Sequence, residues 1–196
     1  MVSAPVTADI EGGYSDDPTQ AGELVAAVID AGVVGINIED GTAPPDLLCA
    51  KIEQARRAAD RAGVRLFVNA RVDVFLRGLA SSPDMAVEES IRRARLYAAA
   101  GCDGVFVPGP TDLAVIEALT AAVDRPLNIL ARPGLPTAAE LQAAGIRRLS
   151  AGSAISQAAL GLTARLASGF LATGDTAPLF GAETPYPGLN RLFSAP

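Results

Sequence analysis

Two aliphatic runs that end in acidic residues decide the fold of this chain: PVTADIEGGY at residues 5–14 and VVGINIED at residues 33–40. Side chains alternate between the two faces of a β-strand, so Asp9 and Glu11 are predicted to share one face, and Glu39 to end the second strand. On a single strand such acids would only mark where the strand reaches solvent. On two neighbouring parallel strands, three carboxylates meet at one end of the sheet, which suits a hard divalent cation such as Mg²⁺.

A repeated pattern organises the rest of the chain: an Ala-rich helix, an Ala-Gly pair and a short aliphatic strand. Strands are predicted at residues 6–11, 33–40, 64–73, 104–108, 126–131 and 146–150. Helices are predicted at residues 19–30, 46–61, 84–99, 111–122, 137–143 and 155–172. Glycine suits the position after a helix because it adopts the left-handed conformation that ends one. Strict alternation of strand and helix predicts a parallel sheet with right-handed crossovers.

Polar residues cluster at the predicted carboxyl ends of these strands, which is where a (β/α)8 barrel holds its active site. A doubly wound sheet would also bind ligands there, but it is expected to carry a phosphate-binding glycine fingerprint after its first strand. The sequence Glu11-Gly12-Gly13-Tyr14-Ser15 is not such a fingerprint. We therefore predict an α/β fold of the TIM-barrel type with six βα units, an incomplete barrel, over residues 1–173. Residues 174–196 are rich in Pro and Gly and are predicted to form an extended or loop-like C-terminal arm.

The composition excludes several classes of protein. The 196-residue chain has 49% apolar residues, no His and a net charge of −6. The negative charge and the lack of a basic stripe argue against a nucleic-acid partner. No apolar run has the length of a membrane span and the N-terminus is no signal peptide, so a cytoplasmic protein is expected. Without His there is no His-based zinc site and no Ser-His or Cys-His pair. Cys49 and Cys102 are predicted to be reduced packing residues.

Three ordered motifs resemble the isocitrate lyase/phosphoenolpyruvate mutase superfamily, especially its small bacterial members. Pro5–Tyr14 is similar to the family's strand ending in Asp-x-Asp-x-Gly-Tyr-Gly, Gly35–Asp40 to its Gly-x-x-Ile-Glu-Asp strand, and Asn69–Asp73 to its Ala-Arg-x-[Asp/Glu] strand. The likeness runs from residue 5 to about 172 with order and spacing preserved. It implies a (β/α)8 barrel, a homo-oligomer (dimer or tetramer), and Mg²⁺ or Mn²⁺ as cofactor. It also implies a small carboxylate or phosphonate substrate.

The resemblance assigns roles to individual residues. Asp9 and Glu11 match the acids that hold magnesium, largely through water, and Glu39 matches the acid of the second motif. Arg71 matches the arginine that grips the substrate's carboxylate or phosphonate, a two-pronged contact that Lys would not reproduce. An ion pair of Arg71 with Asp73 or Glu39 is the alternative, and it is compatible with substrate contact. Arg71 and Glu39 are thus the predicted catalytic residues, and the predicted substrate contacts are Tyr14, Asn69, Arg71, Asn128 and Ser150.

The chain also departs from the family pattern. The family opens with two further βα units, whereas only Met1–Ala4 precede the first motif here. Either the natural protein is longer, or the barrel is open and its two exposed edges favour association. Gly41–Leu47 replaces the loop with the catalytic Cys of the isocitrate lyases, and Cys49 lies within the following helix, so no chemical role is expected for it. Glu11 replaces the usual Asp, and Ser15 the last Gly of the first motif.

These observations favour an enzyme. The expected activity is that of a Mg²⁺-dependent lyase or mutase, which acts on C–C or P–C bonds of small 2-oxo- or 2-hydroxy-carboxylates or phosphonates through an enolate. The alternative is a non-catalytic truncated barrel that serves as a binding or assembly subunit.

Overall fold

A computed structural model of the protein describes residues 4–180 and 186–193. Within these residues six strands alternate with helices. The strands are β1 (Thr7–Asp9), β2 (Gly35–Glu39), β3 (Phe67–Arg71), β4 (Gly104–Phe106), β5 (Leu127–Leu130) and β6 (Arg148–Ser150). The helices are α1 (Pro18–Asp30), α2 (Pro45–Ala62), α3 (Val74–Arg77), α4 (Pro83–Ala100), α5 (Leu113–Ala122), α6 (Ala138–Ala143), α7 (Ala154–Thr173) and α8 (Tyr186–Leu192).

The six strands form one parallel sheet in the order β1-β2-β3-β4-β5-β6. Each strand pairs with the next strand in the sequence, as expected when every connection is a right-handed crossover through a helix. The predicted α/β fold of the TIM-barrel type is therefore confirmed, in the form of a curled half-barrel with six strands. The carboxyl ends of β1, β2 and β3 lie side by side, so their terminal residues occupy one edge of the sheet.

The two faces of the sheet have different chemistry. Outward residues such as Ile36, Val68 and Ile129 are buried among the helices and belong to one hydrophobic core. The alternate residues face the inside of the half-barrel, and register pairs join five of them across neighbouring strands. We call this set the inner row; its members are Glu39, Arg71, Phe106, Asn128 and Arg148. The strand periodicity thus gives an apolar outer face and an inner face that carries charge.

Local signals explain where the helices begin and end. The side chains of Asp17, Ser82, Asp112 and Thr137 each accept a hydrogen bond from a backbone N–H in the first turn of a helix. Gly63 ends α2 at a φ of 67°, a left-handed conformation that favours glycine. The four-residue helix α3 was not predicted, because one turn is too short to show a helical period.

The chain divides into two compact units, Met1–Ala151 and Gly152–Pro196. In the second unit, α7 matches the predicted helix, and none of its residues is buried. The prediction of an extended or loop-like arm was wrong where the chain forms α8 and a 3₁₀ turn at Ala177–Leu179. Residues 181–185 and 194–196 of that arm lie outside the described residues. The domain division at residue 173 stays a prediction.

In the described part of the chain, no helix combines the length and the apolar character that crossing a membrane would require.

Candidate active site

Arg71 stands at the centre of the charged end of the sheet. Its Nη1 lies 2.6 Å from Oε2 of Glu39, its register neighbour on β2. Its Nε and Nη2 donate to the two carboxylate oxygens of Asp73, at 2.7 and 3.1 Å. The guanidinium also lies 5.9 Å from the centre of the Phe106 ring. Both ion pairs considered as the alternative for Arg71 are therefore present, and they hold its side chain in one orientation.

A second arginine borders the same acids. Arg77 in α3 lies 3.8 Å from Glu39 and 3.6 Å from Asp73, and about half of its side chain is exposed. Asp73 is fully buried, and Arg71 and Arg77 both contact its carboxylate. Burial is the largest single influence on the pKa of Arg71 and lowers it. The hydrogen bond and charge of Asp73, together with the charges of Glu39 and Asp9, outweigh burial, so the pKa is raised. The Arg71 guanidinium is thus a permanent cation.

Asp40 holds the backbone of Asp73 in place. Its Oδ1 accepts a hydrogen bond of 2.9 Å from the backbone N–H of Asp73. Its Oδ2 accepts bonds from Arg93 Nη1 at 2.9 Å and from the hydroxyl of Tyr97 at 2.6 Å, both from α4. Burial, together with the charge of Asp40, raises the pKa of Tyr97, so this hydroxyl stays protonated and donates. The network ties α4 to the turn after β3 and fixes the residue to which Arg71 is bonded.

Glu11 is not part of β1, contrary to the predicted alternation with Asp9 on one strand face. The strand ends at Asp9, and Glu11 lies in a turn with a φ of 51°, while Tyr14 has a φ of 53°. Non-glycine residues in this left-handed region are strained and occur often at functional sites. Two bonds hold the turn: Oδ1 of Asp9 accepts the backbone N–H of Glu11 at 3.1 Å, and Nζ of the buried Lys51 donates to the carbonyl of Gly12 at 2.7 Å.

The acids predicted to hold a metal are electrostatically coupled. Burial is the largest influence that raises the pKa of Glu39; Arg71 opposes it, and the charges of Asp73, Glu11 and Asp9 raise the pKa further. Such mutual repulsion among carboxylates would be relieved by a divalent cation. Among the described residues no three acidic side chains stand close enough to enclose an ion directly. Mg²⁺ usually keeps several waters and takes few protein carboxylates, so this oxygen donor set fits coordination through water.

The predicted substrate contacts Asn69, Asn128 and Ser150 occupy inner-face positions of β3, β5 and β6, whereas Tyr14 lies in the turn after β1. The Asn69 amide donates to Oδ1 of Asn37 at 2.9 Å. Asn128 is buried, and neither Oδ1 nor Nδ2 of its side chain has a hydrogen-bond partner among the described residues. Ser150 is half-buried and its hydroxyl lies 3.5 Å from the carbonyl of Ile129. Tyr14 is 72% exposed at the strained turn.

A cavity of about 440 Å³ opens between the Glu11–Asp16 turn, the end of β2 and the start of α2. Its lining includes Glu11, Tyr14, Glu39 and Lys51. The volume lies in the range of small-molecule sites. The strained turn and two of the three acids predicted to hold the metal, Glu11 and Glu39, therefore border a space large enough for a small substrate.

Neither cysteine thiol is activated by its surroundings, since the net effect of these surroundings is to raise both pKa values. Burial raises the pKa of the Cys49 thiol, and it raises the pKa of the Cys102 thiol to about 12. Cys49 lies in α2, as predicted. Sequence reasoning missed Asp40, Arg93 and Tyr97 as a network, and also Lys51, because their partners are far away in the sequence. For Lys51, Arg93 and Tyr97, the available signal was the position of a polar side chain on an otherwise apolar helix face.

Comparison with known proteins places this arrangement in a family. A family model described as phosphoenolpyruvate phosphomutase matches residues 1–171. An uncharacterized protein of Mycobacterium tuberculosis is 42% identical over 153 residues, which cover 76% of this chain and 54% of that protein. An oxaloacetate decarboxylase of Ectopseudomonas mendocina is 30% identical over 166 residues, with 81% and 56% covered.

A solved structure agrees with these sequence matches. A Burkholderia cenocepacia protein provisionally described as a phosphonomutase is 41% identical and superposes with a TM-score of 0.80, over 85% of this chain and 70% of its own. The chain spans about half the length of the curated relatives that it matches. Since the family model covers nearly all of the half-barrel and the three motif strands lie side by side in it, this chain belongs to the phosphoenolpyruvate phosphomutase family, within the phosphoenolpyruvate mutase/isocitrate lyase superfamily.

Proposed function

We propose that the protein is a Mg²⁺-dependent lyase or mutase. It would act on a C–C or P–C bond of a small 2-oxo- or 2-hydroxy-carboxylate, or of a phosphonate analogue, through an enolate. The observation that carries the proposal is the pairing of Glu39 with Arg71 at 2.6 Å, near Asp9 at the end of β1 and Glu11 in the turn that follows it. The family and the 30% identical oxaloacetate decarboxylase support this reaction class.

The residues that would hold the metal are Asp9, Glu11 and Glu39. A bound Mg²⁺ would act there as a Lewis acid that stabilises negative charge on a substrate oxygen, an effect worth several kcal/mol of the barrier. The excess of negative charge around Glu39 supports a cation at this position. Glu11 is held by the strained turn and Asp9 by the end of β1, so two carboxylates are offered from different backbone segments.

Arg71 would orient the substrate anion. Its guanidinium has five N–H donors, of which three contact Glu39 and Asp73, so two remain for a substrate oxygen. Because Asp73 is fixed by Asp40, these two donors point in a defined direction before any ligand arrives. Such preorganisation contributes to catalysis since little reorganisation is needed when charge develops on the substrate.

In a 2-oxo acid, the bond between C3 and the departing carboxyl or phosphonyl group would break, and its electron pair would form an enolate across C3, C2 and the C2 oxygen. A carboxyl group would leave as CO₂, and a phosphonyl group would pass to an acceptor oxygen. In a lyase or decarboxylase the enolate then gains a proton, and in a mutase it forms a new bond to the transferred group. Neither cysteine fits the role of the proton donor found in the isocitrate lyases, since Cys49 lies on α2 and Cys102 is buried. This favours reactions that need the metal, the arginine and an enolate-stabilising pocket, such as oxaloacetate or phosphonopyruvate processing.

Pyruvate release tests this proposal. The purified protein is supplied with oxaloacetate or phosphonopyruvate, and pyruvate is measured by a coupled dehydrogenase, with Mg²⁺ or with EDTA. The spontaneous Mg²⁺-promoted decay of oxaloacetate is subtracted. We expect turnover that EDTA abolishes and that Glu39→Gln lowers by about 100-fold or more, which corresponds to about 2.7 kcal/mol. The matched control Glu53→Gln removes an exposed acid of α2 and should keep full activity.

A second candidate is a non-catalytic subunit. The described residues form six strands, whereas a standard barrel of this type closes with eight, and β1 and β6 end the sheet on either side. Binding of small carboxylates without any turnover, in an assembly larger than a monomer, would favour this candidate over the enzyme.

A further inference from the structure

The inner row contains a buried polar side chain without a hydrogen-bond partner in the part of the chain that the structure describes. Asn128 is 1% exposed, and neither its Oδ1 nor its Nδ2 has a hydrogen-bond partner among the described residues. Leaving one buried polar group unpaired costs about 1–3 kcal/mol. Its sequence neighbours Leu127 and Ile129 face the outer core, so Asn128 faces the inside of the half-barrel. A buried, unpaired amide that points to the interior of the half-barrel indicates a ligand position.

An uncompensated cation adjoins this amide. Arg148 is the register partner of Asn128 on β6, and register partners on neighbouring strands lie about 4.8 Å apart. Leu149 pairs with Ile129 on the outer face, so Arg148 shares the inner face with Asn128. Its side chain is half-buried and has no acidic or hydrogen-bonding partner in the described part of the chain. A guanidinium that is partly withdrawn from water without a counter-ion favours the binding of an anion.

The two arginines of the inner row differ in this respect. Arg71 is already paired with Glu39 and Asp73, whereas Arg148 carries a free positive charge. They lie three strands apart in the same row, and side chains on the concave face of a curled sheet converge. A substrate whose first anionic group is held near Arg71 would therefore have Arg148 on the same inner face for its second anionic group.

We propose that Arg148 and Asn128 form an anion subsite that takes the second carboxylate of a dicarboxylate substrate. The Arg148 guanidinium donates to the carboxylate oxygens, and the Asn128 amide donates a further hydrogen bond. One cation and one neutral amide match the single charge of a carboxylate better than the double charge of a phosphonate. The inference rests on the proposed function for the position of the first carboxylate, and it narrows the substrate to 2-oxo- or 2-hydroxy-diacids.

Binding of two stable hydroxy acids tests the subsite. L-malate and L-lactate share a 2-hydroxy-carboxylate, and only L-malate has a second carboxylate. Calorimetric titrations in the presence of Mg²⁺ should show that the wild type binds L-malate more tightly than L-lactate. Arg148→Gln should weaken L-malate binding about tenfold or more and change L-lactate binding by less than about twofold.

The adjacent arginine supplies a matched control. Arg147 is exposed and precedes β6, so Arg147→Gln makes the same change in net charge outside the inner row. It should leave both affinities within about twofold of the wild type. Arg148→Lys keeps the charge but loses the planar donor pair, and it should weaken L-malate alone by at least about threefold. This variant carries the test if Arg148→Gln does not give a folded circular-dichroism spectrum.

Several results would overturn the subsite. These are equal losses for L-malate and L-lactate in Arg148→Gln, an equal effect of Arg147→Gln, and a wild type without preference for the diacid. Phosphonolactate has a phosphonate in place of the second carboxylate; if it alone lost affinity in Arg148→Gln, the assignment to a carboxylate would be wrong. Pyruvate release by the wild type is measured separately, so failure of the subsite and failure of the proposed enzyme activity remain distinguishable.

Discussion

Asp40→Asn tests the buried network that orients Arg71. The Asp40 side chain is completely buried and accepts three hydrogen bonds, from the Asp73 backbone, Arg93 and Tyr97. An Asn at this position keeps one acceptor oxygen, but its amide group places donors against the donors of Arg93 and Tyr97. The substitution is nearly isosteric, so its effect reports on charge and hydrogen bonding rather than on packing.

The expected loss of stability depends on the contacts that Arg93 keeps after the substitution. Removing one partner of a buried ion pair typically costs about 3–5 kcal/mol because the other charge is left uncompensated. Here Arg93 Nε keeps a contact of 2.7 Å with Glu89, so the charge of Arg93 is still compensated. We therefore expect a loss of about 2–3 kcal/mol in the free energy of unfolding, below the full range for a buried pair. With a urea m-value of about 2 kcal/mol/M, the midpoint would fall by about 1–1.5 M.

Urea unfolding followed by far-ultraviolet circular dichroism measures this loss. Tyr97→Phe removes the hydrogen bond between Tyr97 and Asp40 and should lower the free energy of unfolding by about 1 kcal/mol. In the Asp40→Asn background the same substitution should lower it by much less, because that hydrogen bond is already disturbed. Asp60→Asn, at an exposed position of α2, should change stability by less than about 0.5 kcal/mol. A loss below about 0.5 kcal/mol for Asp40→Asn would refute the reasoning, since the buried network would then contribute nothing.

Four further outcomes are expected. Arg71→Lys should lower kcat/KM for pyruvate release about tenfold or more, which corresponds to about 1.4 kcal/mol of transition-state stabilisation, because Lys cannot bind Asp73 and a substrate anion at the same time. Cys49→Ser should keep most of the activity. Asn128→Leu should raise the free energy of unfolding in urea by about 1 kcal/mol, since it removes two unpaired buried atoms. The hydrogen bond from Arg92 is the main cause that lowers the pKa of Glu89 from 4.5 to about 2. The ionised Glu89 therefore stabilises the folded state fully above pH 4.5, and this stabilisation is lost as the pH falls towards 2. Urea titrations across this range should show that the free energy of unfolding depends less on pH in Glu89→Gln than in the wild type. Light scattering at micromolar concentration should give a mass above that of a monomer, because apolar side chains of α7 such as Leu160 and Leu171 are exposed, and a clean monomer would contradict this.

The sequence predicted the fold well because its signals are local. Ala-Gly pairs and alternating apolar runs marked the six strands, and the order of the strands followed from the alternation with helices. The turn after β1 was mispredicted because the left-handed conformation of Glu11 is set by Asp9 and Lys51, and Lys51 lies 39 residues beyond the Gly12 carbonyl that it binds. Periodicity carries no information on such a distant bond.

The candidate site was predicted only in part for the same physical reason. The motif residues Glu39 and Arg71 lie near each other because their strands pair in register, which the sequence pattern indicates. The buried partners of Asp40 come from α4, more than 50 residues away, and no local pattern points to them. The unpaired state of Asn128 and Arg148 is likewise a property of the folded arrangement, since each residue alone is compatible with a satisfied or a solvated position.

Metal binding tests the central claim most directly, because the proposed activity depends on a cation held by Asp9, Glu11 and Glu39. Calorimetric titration with Mg²⁺ and Mn²⁺ is carried out on the wild type, on Glu39→Ala and on the control Glu53→Ala. We predict that Glu39→Ala weakens the affinity about tenfold or more, while Glu53→Ala matches the wild type. Equal affinity in the wild type and in Glu39→Ala would contradict the assignment of Asp9, Glu11 and Glu39 as the metal site.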